Sequence, residues 1–263
     1  MSISKDGNDE PKGFIAESLA NDLQMKERDK LLSMFLESPL SKGELLFNLG
    51  LYTRGSLLVK FLVMADLYKR IMHLPGQIVE FGVWWGQNLV LLENLRAIYE
   101  PFNKQRVIVG FDTFEGYAKP TEEDGVNASE VFLDDTYATG LNYKDYLEQL
   151  LKVHEGCNVL GHQQGLHRLV AGDVCQTVPK YFQDHPEALV AMAYFDMGPY
   201  LPTKIALQNL LPHLMPGSIL LMDELTWADS PGEARAFKEV FATIPYKIEK
   251  CALYPSKSIV TIL

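Results

Sequence analysis

Gln77-Ile78-Val79-Glu80-Phe81-Gly82-Val83-Trp84-Trp85-Gly86-Gln87-Asn88 is the stretch that decides the fold. A short β-branched run closes on an acid, two glycines follow, and a helical pattern starts at once. Glycine allows tight turns and lets a ligand come close to the backbone. The spacing Glu-x-Gly-x-x-x-Gly differs from the Gly-x-Gly-x-x-Gly of a nicotinamide-binding turn. A strand, a glycine turn and a helix at the head of an alternating α/β region point to a nucleotide-like ligand at the carboxyl edge of the sheet. A plain strand-to-helix turn is the competing reading.

Working outward, the pattern on the carboxyl side alternates. Strands are expected at 78–81, 107–111, 169–171, 189–195 and 218–222, with helices at about 88–99, 143–154, 179–183, 204–213 and 231–241. The apolar run Leu189–Phe195 suits a central strand buried on both faces. Two last strands, 246–252 and 258–262, are joined by Tyr254-Pro255-Ser256-Lys257, too short for a parallel crossover, so that pair is antiparallel. The expected fold class is therefore α/β, a doubly wound sheet with an antiparallel last strand. Residues 118–140 are acidic and irregular and read as a lid or binding loop. On the amino side, 1–12 reads as a flexible tail, and helices are expected at 14–37 and 56–73, ended by Pro75-Gly76. The apolar link Asn48–Arg54 can be a buried crossing, a lid over a ligand or a subunit contact, and burial within the fold is the expected reading.

Composition narrows the function. The chain has 263 residues, 47% of them hydrophobic, enough for a large core. Its net charge of -10 and the lack of basic clusters argue against nucleic acid or an anionic membrane as partner. No apolar run is long enough to span a bilayer, and the polar start is no signal peptide, so a cytoplasmic protein is expected. Cys157, Cys175 and Cys251 lack metal spacing and read as reduced, buried thiols. Asn127-Ala128-Ser129 fits a glycosylation triplet by chance.

The chemistry lies in acids at the carboxyl ends of expected strands: Glu80, Asp112, Asp173, Asp196 and Asp223-Glu224. Any one of them is an ordinary helix cap. Together at the ligand-binding edge they make a site. Asp112 closes the second strand, where an acid can accept both hydroxyls of a ribose, and it stands 32 residues beyond Glu80, further than the roughly 20 of the nicotinamide fingerprint. An adenosine-containing ligand other than NAD fits better. Asp196, Asp223 and Glu224 come from neighbouring strands and suit a hard divalent cation such as Mg²⁺, with a set of helix caps as the alternative. The six histidines show no metal spacing and read as surface or cap residues, with His162 and His167 the two that could reach the site. Trp84 and Trp85 read as packing residues.

At these residues the chain resembles the macrocin-type O-methyltransferases. Ile78–Gly86, then Gly110-Phe111-Asp112-Thr113-Phe114-Glu115-Gly116, carry the likeness. Val170-Ala171-Gly172-Asp173, Pro216-Gly217-Ser218 and Met222-Asp223-Glu224 continue it, over about 48–241. The resemblance implies a class I methyltransferase fold over 76–263, preceded by a helical extension over 13–75 that helps build homo-oligomers. It implies S-adenosylmethionine held by Glu80, Gly82, Gly86, Asp112 and Asp173, with Asn88, Thr113, Phe114 and Gly172 in the same motifs. It also implies a divalent metal, expected as Mg²⁺, at Asp196, Asp223 and Glu224, with Asp196 and Glu224 as catalytic candidates.

One position departs from the pattern. Members of the family usually read Asp-x-Asp-Leu-Tyr after the fourth strand, and the second Asp is a proposed general base. Here the segment is Asp196-Met197-Gly198-Pro199-Tyr200, and Gly198 cannot take a proton. On this reading Gly198→Asp restores a base and gives a modest gain. The expected activity is metal-assisted O-methylation of a sugar or polyhydroxylated natural product. Another reaction on a tailored metabolite, or a non-catalytic binding subunit, are the rivals that Gly198 keeps open.

Overall fold

The structure is a computed structural model that describes residues 20–125, 128, 132, 137–158 and 165–263. The tail 1–12, Asn127 and Ser129 of the glycosylation triplet, Asp134, Asp135 and His162 lie outside the described residues. The chain divides into two units, residues up to Lys60 and Phe61–Leu263.

In the first unit, helix α1 (Asp22–Leu36) starts at a capping box in which Asn21 and Gln24 exchange side-chain-to-backbone hydrogen bonds. Ser41 and Glu44 do the same for α2 (Lys42–Phe47). Neither helix buries a residue. The link after α2 forms a 3₁₀ turn over Leu49–Tyr52. Its expected burial is corrected: Leu51 is 66% exposed and the neighbouring Phe47 90%. A unit this small has too little surface of its own to cover such side chains.

Helix α3 (Gly55–Ile71) carries the chain into the second unit, where Val63, Met64, Leu67, Tyr68 and Ile71 are buried. The strands are β1 (Gln77–Phe81), β2 (Ile108–Asp112), β3 (Arg168–Ala171), β4 (Val190–Phe195), β5 (Leu214–Met222), β6 (Tyr246–Lys250) and β7 (Ser258–Ile262). They form one sheet in the order β3-β2-β1-β4-β5-β7-β6. The first five run parallel, and β7 is antiparallel to both β5 and β6. The strand order reverses between β1 and β4, the switch point where α/β sheets open a crevice at their carboxyl edge. The connecting helices are α4 (Gln87–Tyr99), α5 (Leu141–Cys157), α6 (Val174–Asp184), α7 (Tyr200–Leu210) and α8 (Gly232–Val240). The core runs through Phe81, Phe111, Val190, Phe195, Leu207, Leu220 and Val260. Among the described residues no helix is long and apolar enough to cross a membrane.

Two boundaries differ from the sequence reading for identifiable reasons. Helix α6 starts five residues before Pro179, because Asp173 caps it by accepting the Cys175 N–H at 2.8 Å. Pro179 therefore sits inside a helix that it was expected to open. Strand β5 includes Pro216-Gly217, where the pairing with β4 shifts register. A proline that cannot donate to the ladder is tolerated at such an irregularity. Of the thiols, Cys251 is buried but Cys157 is exposed.

The opposite, amino edge of the sheet is a buried polar network. Glu93 accepts from Arg96 Nε and Nη2 at 2.6 and 2.8 Å, and His167 Nε2 lies 2.6 Å from the same carboxylate. His167 Nδ1 accepts the N–H of Ile108, the first residue of β2. His167 is thus committed about 13 Å of strand away from the carboxyl edge, which removes it as a catalytic candidate. Burial raises the Glu93 pKa, but the Arg96 and His167 hydrogen bonds outweigh it and bring it to about 2. A depressed carboxylate stabilises the fold above its unfolded pKa and loses that stability as pH falls through the folded one. Urea midpoints are expected to hold from neutrality to about pH 5 and then to fall, with a contribution from Glu93 of roughly 3 kcal/mol. In Glu93→Gln that acid limb should flatten. An unchanged limb in the variant would assign acid sensitivity to other carboxylates.

Candidate active site

The carboxyl edge is built from two halves. In the first, β1 ends at Phe81 and the chain turns through Gly82 at φ +87 and Gly86 at φ +73. A Cβ on Gly82 would stand 2.0 Å from the Asp196 carbonyl oxygen, and one on Gly86 2.4 Å from the Leu147 side chain. Packing against backbone requires glycine at 82, the left-handed φ favours it at 86, and the turn presses directly on the end of β4. Asp112, at the end of β2, ties the turn down. Its Oδ2 accepts the N–H groups of Val83 and Trp84 at 2.6 and 2.7 Å, and its Oδ1 accepts that of Phe114 at 2.6 Å. Trp84 and Phe114 take positive φ values of 50 and 59, which bulky residues adopt only where surroundings enforce it.

The expectation that Asp112 accepts both ribose hydroxyls is accordingly revised. A carboxylate offers about four acceptor positions. Three are filled by backbone amides, which leaves room for a single further donor. Glu80 is buried in β1, and its Oε1 accepts from Asn88 Nδ2 at 2.8 Å. Thr113 accepts the Glu115 N–H and donates to the Gly116 carbonyl, shaping the loop after β2. The Gly172 N–H donates to the Asp112 carbonyl, so β3 delivers Gly172 and the cap Asp173 beside the same turn. All nine residues expected to contact a cofactor thus line one edge. The half-buried acid with a position to spare and the turn at the switch point fit the ribose of an adenosine-type cofactor.

The second half comes from β4 and β5. Asp196, Asp223 and Glu224 each offer a carboxylate oxygen, and these atoms lie within 4.8 Å of one another. Oxygens that close together can share one cation. Tyr194 donates its hydroxyl to Asp196 Oδ2 at 2.7 Å, and the ammonium of Lys257 pairs with Asp223. Glu224 Oε2 is buried without a hydrogen-bond partner, and its backbone N–H donates to Glu233 on α8 at 3.0 Å. Burial above all holds both Glu224 and Glu233 well above the usual carboxylate range, helped at Glu224 by the charges of Glu233 and Asp196 and at Glu233 by that of Asp196. Tyr117 and Tyr194 are pushed up as well, first by burial and further by the nearby acids. The donor set is all oxygen and carries more negative charge than Lys257 offsets, so it fits a hard divalent cation.

Several of these residues escaped the sequence reading. Lys257, Tyr194 and Glu233 were not expected at the site, nor were Tyr117 and Tyr137. Tyr137 packs edge-on against both Trp84 and Tyr117, and Tyr117 against Phe132. Trp84, read as a packing residue, does pack, but in this aromatic wall rather than in the core. A signal for Lys257 was available: it precedes a strand antiparallel to its neighbour, whose start must meet the carboxyl end of β5.

Gly198 has φ +79, and its Cβ position lies 2.5 Å from the Phe132 ring. The modest gain expected of Gly198→Asp is therefore corrected. The substitution should lower stability by about 1–3 kcal/mol through backbone strain and overpacking, without speeding catalysis. Thermal melting and turnover of Gly198→Asp, alone and with Phe132→Ala, check this. An active, fully stable single variant would contradict it.

The macrocin O-methyltransferase (TylF) family matches residues 64–247. The chain is similar to the crystal structure of CalS11, calicheamicin methyltransferase, at 34% identity and a TM-score of 0.85 over 99% of each chain. It is also similar to the apo structure of CalS11, described as TDP-rhamnose 3'-O-methyltransferase, an enzyme in calicheamicin biosynthesis. There the identity is 32% and the TM-score 0.78, over 94% of this chain and 96% of that one. The O-methyltransferase NovP shares the fold, at 16% identity and a TM-score of 0.59 over 78% and 79% of the two chains. No curated protein matches the chain.

Proposed function

The chain belongs to the macrocin O-methyltransferase family, and from that premise we propose that it methylates a hydroxyl of a nucleotide-sugar or glycosylated natural product, using S-adenosylmethionine and a divalent cation. The observation that carries the reading is the convergence of Asp196, Asp223 and Glu224 beside the Gly82–Gly86 turn at the switch point of the sheet.

S-adenosylmethionine supplies an electrophilic sulfonium methyl when bound. Asp112 would take one ribose hydroxyl at its remaining acceptor position, and buried Glu80 would face the polar part of the cofactor at the mouth of β1. Asp196, Asp223 and Glu224 would hold the cation, which would lower the pKa of a hydroxyl in contact with it. With glycine at 198, the carboxylates of Asp196 and of Glu224, the latter once a cation has displaced its proton, would be candidates to receive the hydroxyl proton. The aromatic wall of Trp84, Tyr117 and Tyr137 would exclude water and give an apolar face against which a sugar ring can lie. Orientation of the acceptor oxygen toward the methyl then supplies most of the rate. A homo-oligomer, built partly by the exposed apolar residues of the first unit, belongs to the same reading.

Calorimetry with S-adenosylmethionine and S-adenosylhomocysteine, followed by acceptor titration with and without Mg²⁺, tests it. Micromolar cofactor binding and metal-dependent binding of a nucleotide-sugar are expected. Absence of cofactor binding would remove the proposal.

A further inference from the structure

Lys257 stands at the carboxylate cluster without a part in the chemistry proposed above. It is 5% exposed, it leads into β7, and β7 pairs with β5 so that Ser258 stands opposite Met222. This antiparallel register brings Lys257 next to Asp223. The Lys257 ammonium pairs with the Asp223 carboxylate and donates to the Tyr194 hydroxyl at 2.7 Å, which in turn donates to Asp196. The rings of Tyr194 and Tyr254 stand 5.0 and 4.7 Å from Nζ and wall it in. One cation is thus wired to two of the three carboxylates that form the candidate metal site.

We propose that Lys257 is a tethered counter-ion: it holds Asp223 in the metal-free protein, gives it up when a divalent cation enters, and so sets how tightly the site holds metal. The inference rests on the reading of Asp196, Asp223 and Glu224 as a cation site. Leaving these partly buried acids crowded together without a counter-charge is costly, which explains a resident positive charge. An ammonium and a divalent cation on one carboxylate repel, which explains why the first must move when the second binds. A lysine that merely neutralised the cluster for folding would have no such antagonism with metal.

The test is Mn²⁺ binding to the full chain, by calorimetry with free ion counted by electron paramagnetic resonance. Wild type is compared with Lys257→Met and with Lys257→Gln, which keeps a donor for Tyr194 and removes only the charge. Both variants should bind Mn²⁺ about tenfold more tightly or better, and their melting temperatures should rise more on adding Mn²⁺ than that of wild type. Equal or weaker binding in the variants, with wild type binding Mn²⁺ in an Asp223-dependent way, overturns the counter-ion role and leaves the metal site intact. No Mn²⁺ binding by any of the three proteins overturns both. If neither variant folds without metal, recovery on refolding with Mn²⁺ supports the exchange of one cation for the other, and failure to recover overturns it.

Discussion

Asp112→Ala is expected to lose S-adenosylmethionine binding and about 4 kcal/mol or more of fold stability together. The alanine leaves three backbone amides, those of Val83, Trp84 and Phe114, without the carboxylate that accepts them. Hydrogen bonds to a charged acceptor contribute about 1.5–3 kcal/mol each, and these three hold two residues at positive φ. Without them the turn between β1 and α4 has no reason to keep its shape. Had the acid served only a ribose, cofactor affinity would fall while the melting temperature stayed put. Asp112→Asn separates the two duties, since its single carbonyl oxygen can serve one side of the turn but not both. It should show an intermediate loss in each measurement. Unchanged melting in Asp112→Ala would show that the turn organises itself.

The second large effect concerns the cation. Chelation is expected to abolish methyl transfer and Mg²⁺ to restore it, while Asp223→Asn lowers turnover by about 10²–10³-fold, the loss typical when one charge is removed from a site that stabilises a developing oxyanion. Asp223 is the member of the trio already engaged with Lys257, so neutralising it disturbs both the metal-free and the metal-bound arrangement. Cofactor binding should survive in this variant, because the Asp112-bound turn lies on the other side of the switch point. Full turnover after rigorous chelation would leave the acids of β4 and β5 as structural groups.

The parallel part of the sheet was legible because its strands are short apolar runs closed by acids, and the antiparallel end because the connector Cys251–Lys257 is too short to cross a sheet. The acids Glu80, Asp112, Asp196, Asp223 and Glu224 were found because the carboxyl end of a strand is a place that sequence order alone can mark. What each acid does there was less legible. Asp112 spends three acceptor positions on amides that no spacing rule predicts. Lys257 and Glu233 arrive from far down the chain, through an antiparallel strand and a helix start. Gly198 reads as a lost base in sequence, yet in three dimensions its missing side chain is the space that Phe132 fills. His167 reads as available and is buried at the opposite edge. Contacts made by tertiary packing, rather than by local pattern, separate the readings in each case.

The most direct test of the central claim is a single nuclear magnetic resonance experiment. The purified chain is mixed with S-adenosylmethionine carrying a ¹³C methyl group, Mg²⁺ and a panel of nucleotide-bound deoxysugars. The S-methyl signal should decay as a new O-methyl signal grows, correlated through three bonds to one carbon of the sugar ring. A methyl delivered to nitrogen, carbon or sulfur, or an S-methyl signal that persists with every sugar offered, would contradict the assignment of this edge as a sugar O-methylation site.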